Sequence, residues 1–474
     1  MALKFIVSQK GNKLLLHDGV LYSKKKINKS NITWICTCVN CNIIIHTDSE
    51  KTTGKIVGDV LVHDHPSNAA AVKAKILKEK IKKKSSKSQE KPATIVSTSL
   101  QGVLSPVAAL LPKPISLSRA VQRSCVKTVA PIMNPDSRSE LLLTDEYKFT
   151  YSGDLFLLHG SGNDKNRFLV FTSSKNLNYL VTCHLWLSDG TFKSVPSIFS
   201  QLYTIHGYKD GKSLPLVYML APDKSKSLYL KFLKVLRNAI PNFSPDRLMM
   251  DFEIGFIEAF KQVFHGAKVS GCNFHFCQSV WRHIQFCGLE TRYNTDIEFS
   301  RNIRMLMALA FVPPEDVTAA FDKLMSTDYY DRNSDILENI VAYFESTWIG
   351  KLKHNRKRRE KPLFDIKIWN CYLATKNGDL RSNNSMEGWH SGFNQRVSVA
   401  HASIGSFLNA IKNEQTLTET SITQINSGLA VAVPRRKAYR DYNQRLFTIV
   451  NNYNPNNKID YLNNIAKVLN FEGY

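Results

Sequence analysis

The chain has 474 residues, enough for several domains and a sizeable buried core, and its 43% hydrophobic and 22% charged residues suit a largely globular protein rather than a disordered one. Lys and Arg number 63 against 40 Asp and Glu, a formal net charge of +23, which favours a polyanionic partner, nucleic acid ahead of a membrane surface, because basic side chains displace condensed counterions from phosphates. No apolar run reaches the roughly 18 residues that span a bilayer, residues 1–20 lack the apolar stretch of a signal peptide, and nine cysteines, an odd number with Cys36, Cys38 and Cys41 close together, suit metal ligands and free thiols better than a secreted disulfide framework.

Residues 1–67 read as a small β-rich module. Short alternating segments at 12–17, 33–37 and 42–46 are separated by turn residues, Asp18-Gly19 and the stretch 28–31. Cys36, Cys38, Cys41, His46, His63 and His65 crowd into this region. Zinc takes four Cys or His ligands tetrahedrally, and two donors from one turn with two from a distant segment close a fold too small for a sufficient core. Cys36 and Cys41 with His63 and His65 supply two thiolates and two imidazoles. Spacing alone leaves Cys38 with Cys41 as a rival pair and His46 as an alternative donor.

The character changes over residues 68–136. Residues 73–91 hold nine lysines against two glutamates and run into Ser, Pro and Thr. Such a composition buries little apolar surface, so it reads as a disordered linker or a helix-prone basic arm. Lys82-Lys83-Lys84 fits a nuclear-import signal and fits a solvated face equally well.

From about residue 149 strand-like and helix-like patterns alternate. Residues 180–187 form an apolar strand candidate ending at Ser188-Asp189-Gly190. Residues 202–205 and 214–220 make two more, joined at Lys209-Asp210-Gly211. Leu228, Phe232, Val235, Leu236 and Ile240 recur at helical spacing before Pro241. A fourth strand, 247–250, ends at Asp251; a helix through Phe264 follows, then a fifth strand, 267–274, and a helix through Trp281. The plan is α/β. From about residue 291 the reading is mostly helical, with an insertion to residue 380. Residues 351–361 carry seven basic residues and one acid. Arg435, Arg436 and Lys437, with Arg440 and Arg445, form a second basic patch interleaved with Tyr439 and Tyr442. Lys351, Lys353, Arg356, Lys357, Arg358 and Arg359 with Arg435, Arg436 and Lys437 are the candidate nucleic-acid phosphate contacts; the alternative is a solvated helix face.

Two acids stand where strands finish, Asp189 and Asp251. Rigid strand ends can converge on one pocket, and hard carboxylate oxygens suit Mg²⁺. Singly, Asp189-Gly190 is also a good turn pair and Asp251 a possible helix N-cap. A third acid, Glu387, follows Asn384 at capping-box spacing. In a helix, Glu387, His390 and Asn394 share one face, beside Gly388 and Gly392. Cys272 and His275 read as a packed thiol and a core histidine, or as a metal pair extended by Cys277.

Two resemblances gather these residues. Leu21-Tyr22, Trp34, Cys36, Cys41, His63 and His65 resemble the FLYWCH-type zinc finger, with Val20 where the leading Phe would stand. That resemblance implies zinc on Cys36, Cys41, His63 and His65, with Cys38 outside the set, and a module that binds DNA or protein. From about 168 to 408 the chain resembles the transposase domain of Mutator-like elements, an RNase H-like nuclease of the DDE class. The motifs come in order: Asp189-Gly190-Thr191-Phe192, the stretches 202–206 and 215–220, Asp251-Phe252-Glu253, the stretch 271–278 with Cys272 and His275, and Asn383-Asn384 with Glu387 and His390. It implies Asp189, Asp251 and Glu387 as a catalytic triad holding two Mg²⁺ or Mn²⁺ ions, with Cys272, His275 and His390 in the active-site neighbourhood.

The expected organisation is then a zinc finger at 1–67, the linker at 68–136, the first part of an RNase H-like core at 149–290, the helical insertion at 291–380, a Glu-bearing helix completing the core at 381–412, and a basic helical tail at 413–474. The expected function is metal-dependent phosphodiester hydrolysis and strand transfer on double-stranded DNA, in DNA recombination at element ends. A homo-oligomer on DNA, no membrane partner and a nuclear location go with it. The alternative is a domesticated, non-catalytic zinc-finger DNA-binding or regulatory protein.

Overall fold

The computed structural model describes residues 3–7, 12–85, 92–113, 116–121, 134–353, 358–397, 402–428 and 437–469. The chain divides into two compact units, Met1–Met133 with Ser403–Ser406, and Asn134–Ala402 with Phe407–Tyr474.

The first unit opens with a six-stranded sheet in sequential order: β1 (Lys4–Val7), β2 (Lys13–His17), β3 (Val20–Ile27), β4 (Ile32–Cys36), β5 (Ile44–Thr47) and β6 (Ile56–Val57). All neighbours pair antiparallel. Asp18 and Gly19 take positive φ, 46° and 75°, as the tight β2–β3 turn requires. Leu15, Tyr22, Trp34 and Ile45 are buried together on one face, and the Trp34 indole N–H donates to Thr47 Oγ1 at 2.9 Å. This core is small.

The segment 68–136, read as a disordered linker or a helix-prone basic arm, contains helices among its described residues. Helices α1 (Ala69–Ser85) and α2 (Pro92–Leu100) form, and Ile81 is buried with Ile95, Val96, Leu117 and Val121. The expectation weighed composition and overlooked a stripe: Ala74, Leu77 and Ile81 recur at helical spacing between the lysines. Val72 packs with Ile6, Leu14 and Leu21 of the sheet, and Glu79 accepts the Val7 N–H at 3.0 Å.

The second unit is built on a seven-stranded sheet. In chain order the strands are β7 (Leu157–Gly160), β8 (Leu169–Phe171), β9 (Leu185–Thr191), β10 (Gln201–Lys209), β11 (Lys212–Ala221), β12 (Arg247–Met250) and β13 (Lys268–Gly271); across the sheet they run β13-β12-β9-β10-β11-β8-β7. Strands β9, β10 and β11 form an antiparallel meander, whereas β12 and β13 join parallel on the far side of β9. The β10–β11 turn holds Asp210 at φ 50° and Gly211 at 80°, the signs of the two-residue hairpin turn that Asp-Gly favours. Helices α3 (Ser174–Leu180), α4 (Lys226–Ala239) and α5 (Ile254–Val263) connect strands, and α6 (Asn273–Phe286) follows β13. Leu228, Phe232 and Leu236 of α4 and Phe256 and Phe260 of α5 are buried together in the main core, with Leu248 and Met250 of β12.

Three expectations shift. The strand expected at 180–187 begins only at Leu185 and runs through Asp189 to Thr191, because Leu180 ends α3. A buried helix end and a buried strand adjoin there with no Gly or Pro between them, so hydrophobicity alone has no boundary to mark. The fifth strand stops at Gly271, and Phe274 lies in α6. Strands β7 and β8 are additional.

The insertion carries α7 (Ile297–Ala308), α8 (Val317–Met325) and α9 (Ser334–Phe344); then come α10 (Asn384–Val397), α11 (Ile404–Asn426), α12 (Lys437–Asn451) and α13 (Lys458–Val468). The last two helices join the insertion's core. Leu446, Val450, Leu462 and Ile465 are buried there, the Tyr461 hydroxyl donates to the Phe311 carbonyl at 2.5 Å and that of Tyr453 to Asp316 at 2.8 Å. Among the described residues no helix is long and apolar enough to cross a membrane.

Candidate active site and zinc site

In the first unit the sulfurs and ring nitrogens of Cys36, Cys41, His63 and His65 lie within 4.8 Å of one another. Cys36 Sγ stands 3.4 Å from His65 Nε2, Cys41 Sγ 3.3 Å from His63 Nδ1, and the two histidine nitrogens are 3.0 Å apart. A tetrahedral zinc with ordinary Zn–S and Zn–N bonds separates its ligands by roughly 3.3–3.8 Å; both sulfur–nitrogen separations fall in that range and the histidine nitrogens stand a few tenths of an ångström closer, so the four side chains suit that ion. The outer ring nitrogens are held as zinc ligands usually are: His63 Nε2 is 2.6 Å from the Tyr22 hydroxyl, and His65 Nδ1 is 3.1 Å from the Pro66 carbonyl. The two alternatives left open by spacing lie elsewhere. Cys38 is exposed, its backbone N–H donating to Cys36 Sγ at 3.3 Å, and His46 Nδ1 lies 3.2 Å from Thr33 Oγ1.

In the second unit three acids come together from three elements. Asp189 is buried near the end of β9 at 7% exposure. Strand β12 pairs with β9 at Met249 and Leu187; two residues further along both strands stand Asp251 and Asp189. The β12–β13 register likewise ends at Met250 and Gly271, which brings Cys272 level with Asp251. Glu387 arrives from the first turn of α10, whose Met386 is buried with Leu187 and Met249.

The backbone around these acids is tightly held. Cys272 Sγ accepts the Asn383 N–H at 3.3 Å and the Arg381 carbonyl accepts the Asn273 N–H at 2.8 Å, tying the start of α10 to the end of β13. Burial pushes the Cys272 thiol up to about 12, so it acts as a neutral packed group. Phe252, between Asp251 and Glu253, sits edge-on to Trp348 and Phe364 at 4.9 and 5.0 Å. A side chain at Gly271 would overlap the Phe252 ring. Aromatic residues of the insertion thus brace the Asp251 loop.

Electrostatics mark the same place. Burial, then the charges of Asp189 and Glu253, raises Asp251 to about 8, and burial with Asp189 raises Glu387 to about 7. Asp251 Oδ1, Glu387 Oε1, His275 Nδ1 and both amide atoms of Asn383 are buried without a hydrogen-bond partner among the described residues. Buried polar atoms are ordinarily satisfied; two bare carboxylate oxygens beside a third carboxylate are a donor set that a hard divalent cation fits. His390 Nδ1 is 3.5 Å from Asp189 Oδ2, with Nε2 3.4 Å from Thr204 Oγ1. His275 Nε2 is 3.7 Å from Glu387 Oε1, and Cys272, His275 and Glu387 present donors within 4.8 Å of one another. Cys277 is buried in the main core and lies outside this cluster.

The reading of Asn384 and Glu387 as a capping box does not fit. The helix begins at Asn384 itself, and Glu387 Oε1 accepts no hydrogen bond. Sequence reasoning missed the support of Glu253, whose Oε1 accepts the Tyr229 hydroxyl at 2.6 Å while Gln201 Nε2 donates to that hydroxyl at 2.6 Å. Tyr229 sits among the apolar residues of α4, and no local pattern separates it from ordinary core.

Of the expected DNA contacts, Lys351, Lys353, Arg358 and Lys437 are exposed. Arg359 is engaged within the fold: it donates to Glu345 and to the Gly350 carbonyl, both at 2.6 Å, pairs with Asp322 and covers the Phe321 ring. That geometry leaves it unsuited to phosphate. Arg356, Lys357, Arg435 and Arg436 lie outside the described residues.

Comparison with known proteins finds two family matches in the chain. Residues 5–65 match the FLYWCH zinc finger domain and residues 185–279 the MULE transposase domain. The second match contains Asp189, Asp251, Cys272 and His275. No curated protein matches the chain. The chain carries, in order, a FLYWCH zinc finger domain and a MULE transposase domain.

Proposed function

We propose that the protein is a DNA transposase of Mutator-like type whose second unit is an RNase H-like nuclease core of the DDE class. The observation that carries this reading is the convergence of Asp189, Asp251 and Glu387 with two buried carboxylate oxygens left bare. The sheet supports it, with an antiparallel meander followed by two parallel strands and the acids at neighbouring strand ends. Function rests on these groups rather than on the fold, which hosts many activities.

Asp189, Asp251 and Glu387 would hold Mg²⁺ or Mn²⁺, and such ions would supply Lewis acidity toward the attacking water or 3′-hydroxyl and charge neutralisation at the leaving oxygen. The chain's own groups do the positioning. His390 orients Asp189, the Cys272–Asn383 contact holds Glu387 at the helix start, and Tyr229 fixes Glu253 beside Asp251. The same site hydrolyses a strand at an element end, leaving a 3′-hydroxyl, and joins that hydroxyl to a target-strand phosphorus as the target's own 3′-oxygen leaves as a hydroxyl. The zinc finger binds DNA at those ends, exposed Lys351, Lys353, Arg358 and Lys437 hold the duplex backbone, and the protein works in the nucleus, with a homo-oligomer on DNA as the assembled form.

The test is a Mg²⁺-dependent cleavage assay on DNA ends from the source locus, run beside Asp251→Asn. The wild-type protein should cut, and the variant should bind the same DNA and leave it intact. Cleavage that survives in the variant would remove Asp251 from the site. Binding without cutting by both would turn the reading to the non-catalytic regulator.

A further inference from the structure

Beyond the metal-holding acids, the end of β9 presents an exposed aromatic ring. Phe192 is 45% exposed although it follows a strand whose other residues are largely buried. Its position is fixed on both sides. Asn394 of α10 donates to Thr191 Oγ1 at 3.4 Å and accepts the Ser194 hydroxyl at 2.6 Å. The tip of the ring lies alongside Gly190, 3.7 Å from where a Cβ there would stand. One cation sits over the ring, Lys224 Nζ at 4.0 Å from its centre.

The backbone around Lys224 is tied on both sides. Asp223 Oδ1 accepts the Ser225 N–H at 2.8 Å, the Ser225 hydroxyl caps α4 by accepting the Leu228 N–H at 3.3 Å, and Gly255 lets the start of α5 approach the Lys224 backbone closely. Its ammonium is near enough to favour the ionised forms of both Asp251 and Glu253. A solvent-facing ring and an ammonium, each set on a pinned turn beside a carboxylate cluster, are the two parts of a nucleotide site. The ring offers a stacking platform for a base of any sequence, and the cation meets a phosphate.

We propose that Phe192 and Lys224 form a nucleotide subsite beside the metal-binding acids, Phe192 stacking on the base next to the scissile phosphate and Lys224 contacting the adjoining phosphate of a single DNA strand. The proposal rests on the nuclease reading for the identity of that strand. Phe192 and Lys224 are positioning residues here, since neither touches the reacting atoms.

The full chain is tested with Ca²⁺ in place of Mg²⁺, using a 12-nucleotide oligothymidylate and an abasic deoxyribose-phosphate 12-mer of equal charge. Phe192→Ala should bind the oligothymidylate about fivefold or more weakly, the lower end of what removing one stacked ring costs, and bind the abasic strand as the wild type does. Phe192→Trp should retain binding and gain indole fluorescence that oligothymidylate quenches and the abasic strand leaves unchanged. Lys224→Ala should weaken both. Equal binding of both strands by wild type and Phe192→Ala, with no quenching in Phe192→Trp, would overturn the subsite. The two readings fail separately. Quenching in Phe192→Trp, with a wild-type protein that never cuts DNA, sinks the nuclease alone, whereas Asp251-dependent cutting that Phe192→Ala performs at the wild-type rate sinks the subsite alone.

Discussion

At the scale of single residues, Asp251 and Glu387 are carboxyl groups held against ionisation, at about 8 and about 7. Unfolded, each would titrate near 4. Between about pH 4 and 8 the folded chain therefore binds more protons than the unfolded one, and the stability of the metal-free protein falls as pH rises through that window. The charged neighbours are Asp189, Glu253 and Lys224, with His275 and His390 facing Glu387 and Asp189. A divalent cation favours the ionised forms and must displace the protons to bind. Mg²⁺ or Mn²⁺ should thus raise the melting temperature more at pH 8 than at pH 6, and calorimetry should show the increment largely lost in Asp251→Asn. An increment independent of pH, or intact in that variant, would count against this pair as the binding groups. Asp251 was legible as a strand-end residue and Glu387 as part of a helix start; their altered acidity was not, because it depends on burial by distant segments and then on the nearby charge of Asp189.

At the scale of elements, the six-stranded module and the α10 junction teach opposite lessons. The module's alternating segments and its Cys and His residues are visible in the sequence, since a two-residue period and a donor-rich turn are local signals. Spacing could not choose between Cys36 and Cys38; the fold does, by exposing one and bringing the other to 3.4 Å from His65. Zinc analysis by atomic emission should give one ion for the first unit. Cys38→Ser should keep it, whereas Cys41→Ser should lose it and render residues 1–67 protease-sensitive, the module's core being too small to hold without the metal. Loss of zinc in Cys38→Ser would reverse the ligand assignment. The α10 junction had no such local signal. It depends on a cysteine thiol accepting a backbone N–H 111 residues away, an interaction between segments that only the folded sheet and insertion bring together.

At the scale of the whole molecule, the excess positive charge is not uniform in use. Arg359, in the most basic stretch of the insertion, holds Glu345 and Asp322, while Lys351, Lys353 and Arg358 remain exposed. Replacing the three exposed residues together by Ala should leave the denaturation midpoint unchanged and lower the slope of log affinity for duplex DNA against log salt by up to about 3, close to one for each phosphate no longer neutralised. Arg359→Ala should instead lower stability by about 1.5–3 kcal/mol, the range for hydrogen bonds to charged groups, and chemical denaturation measures it. A salt slope that the triple variant leaves intact would remove this run from the DNA-binding surface.

The sequence by itself determined the charge, the α/β plan, the β-rich module with its crowded Cys and His residues, and the acids as candidates, because composition, period and short spacings are properties of neighbouring residues. It also carried the apolar stripe of α1, which composition concealed. Only the tertiary structure decided that Asp189 lies inside its strand, that Arg359 faces carboxylates, that the C-terminal helices close the core of the insertion, and that Phe192 and Lys224 meet beside the acids. Each of these depends on which distant segments share a sheet edge or a helix face, and register and packing settle that through interactions no local pattern encodes.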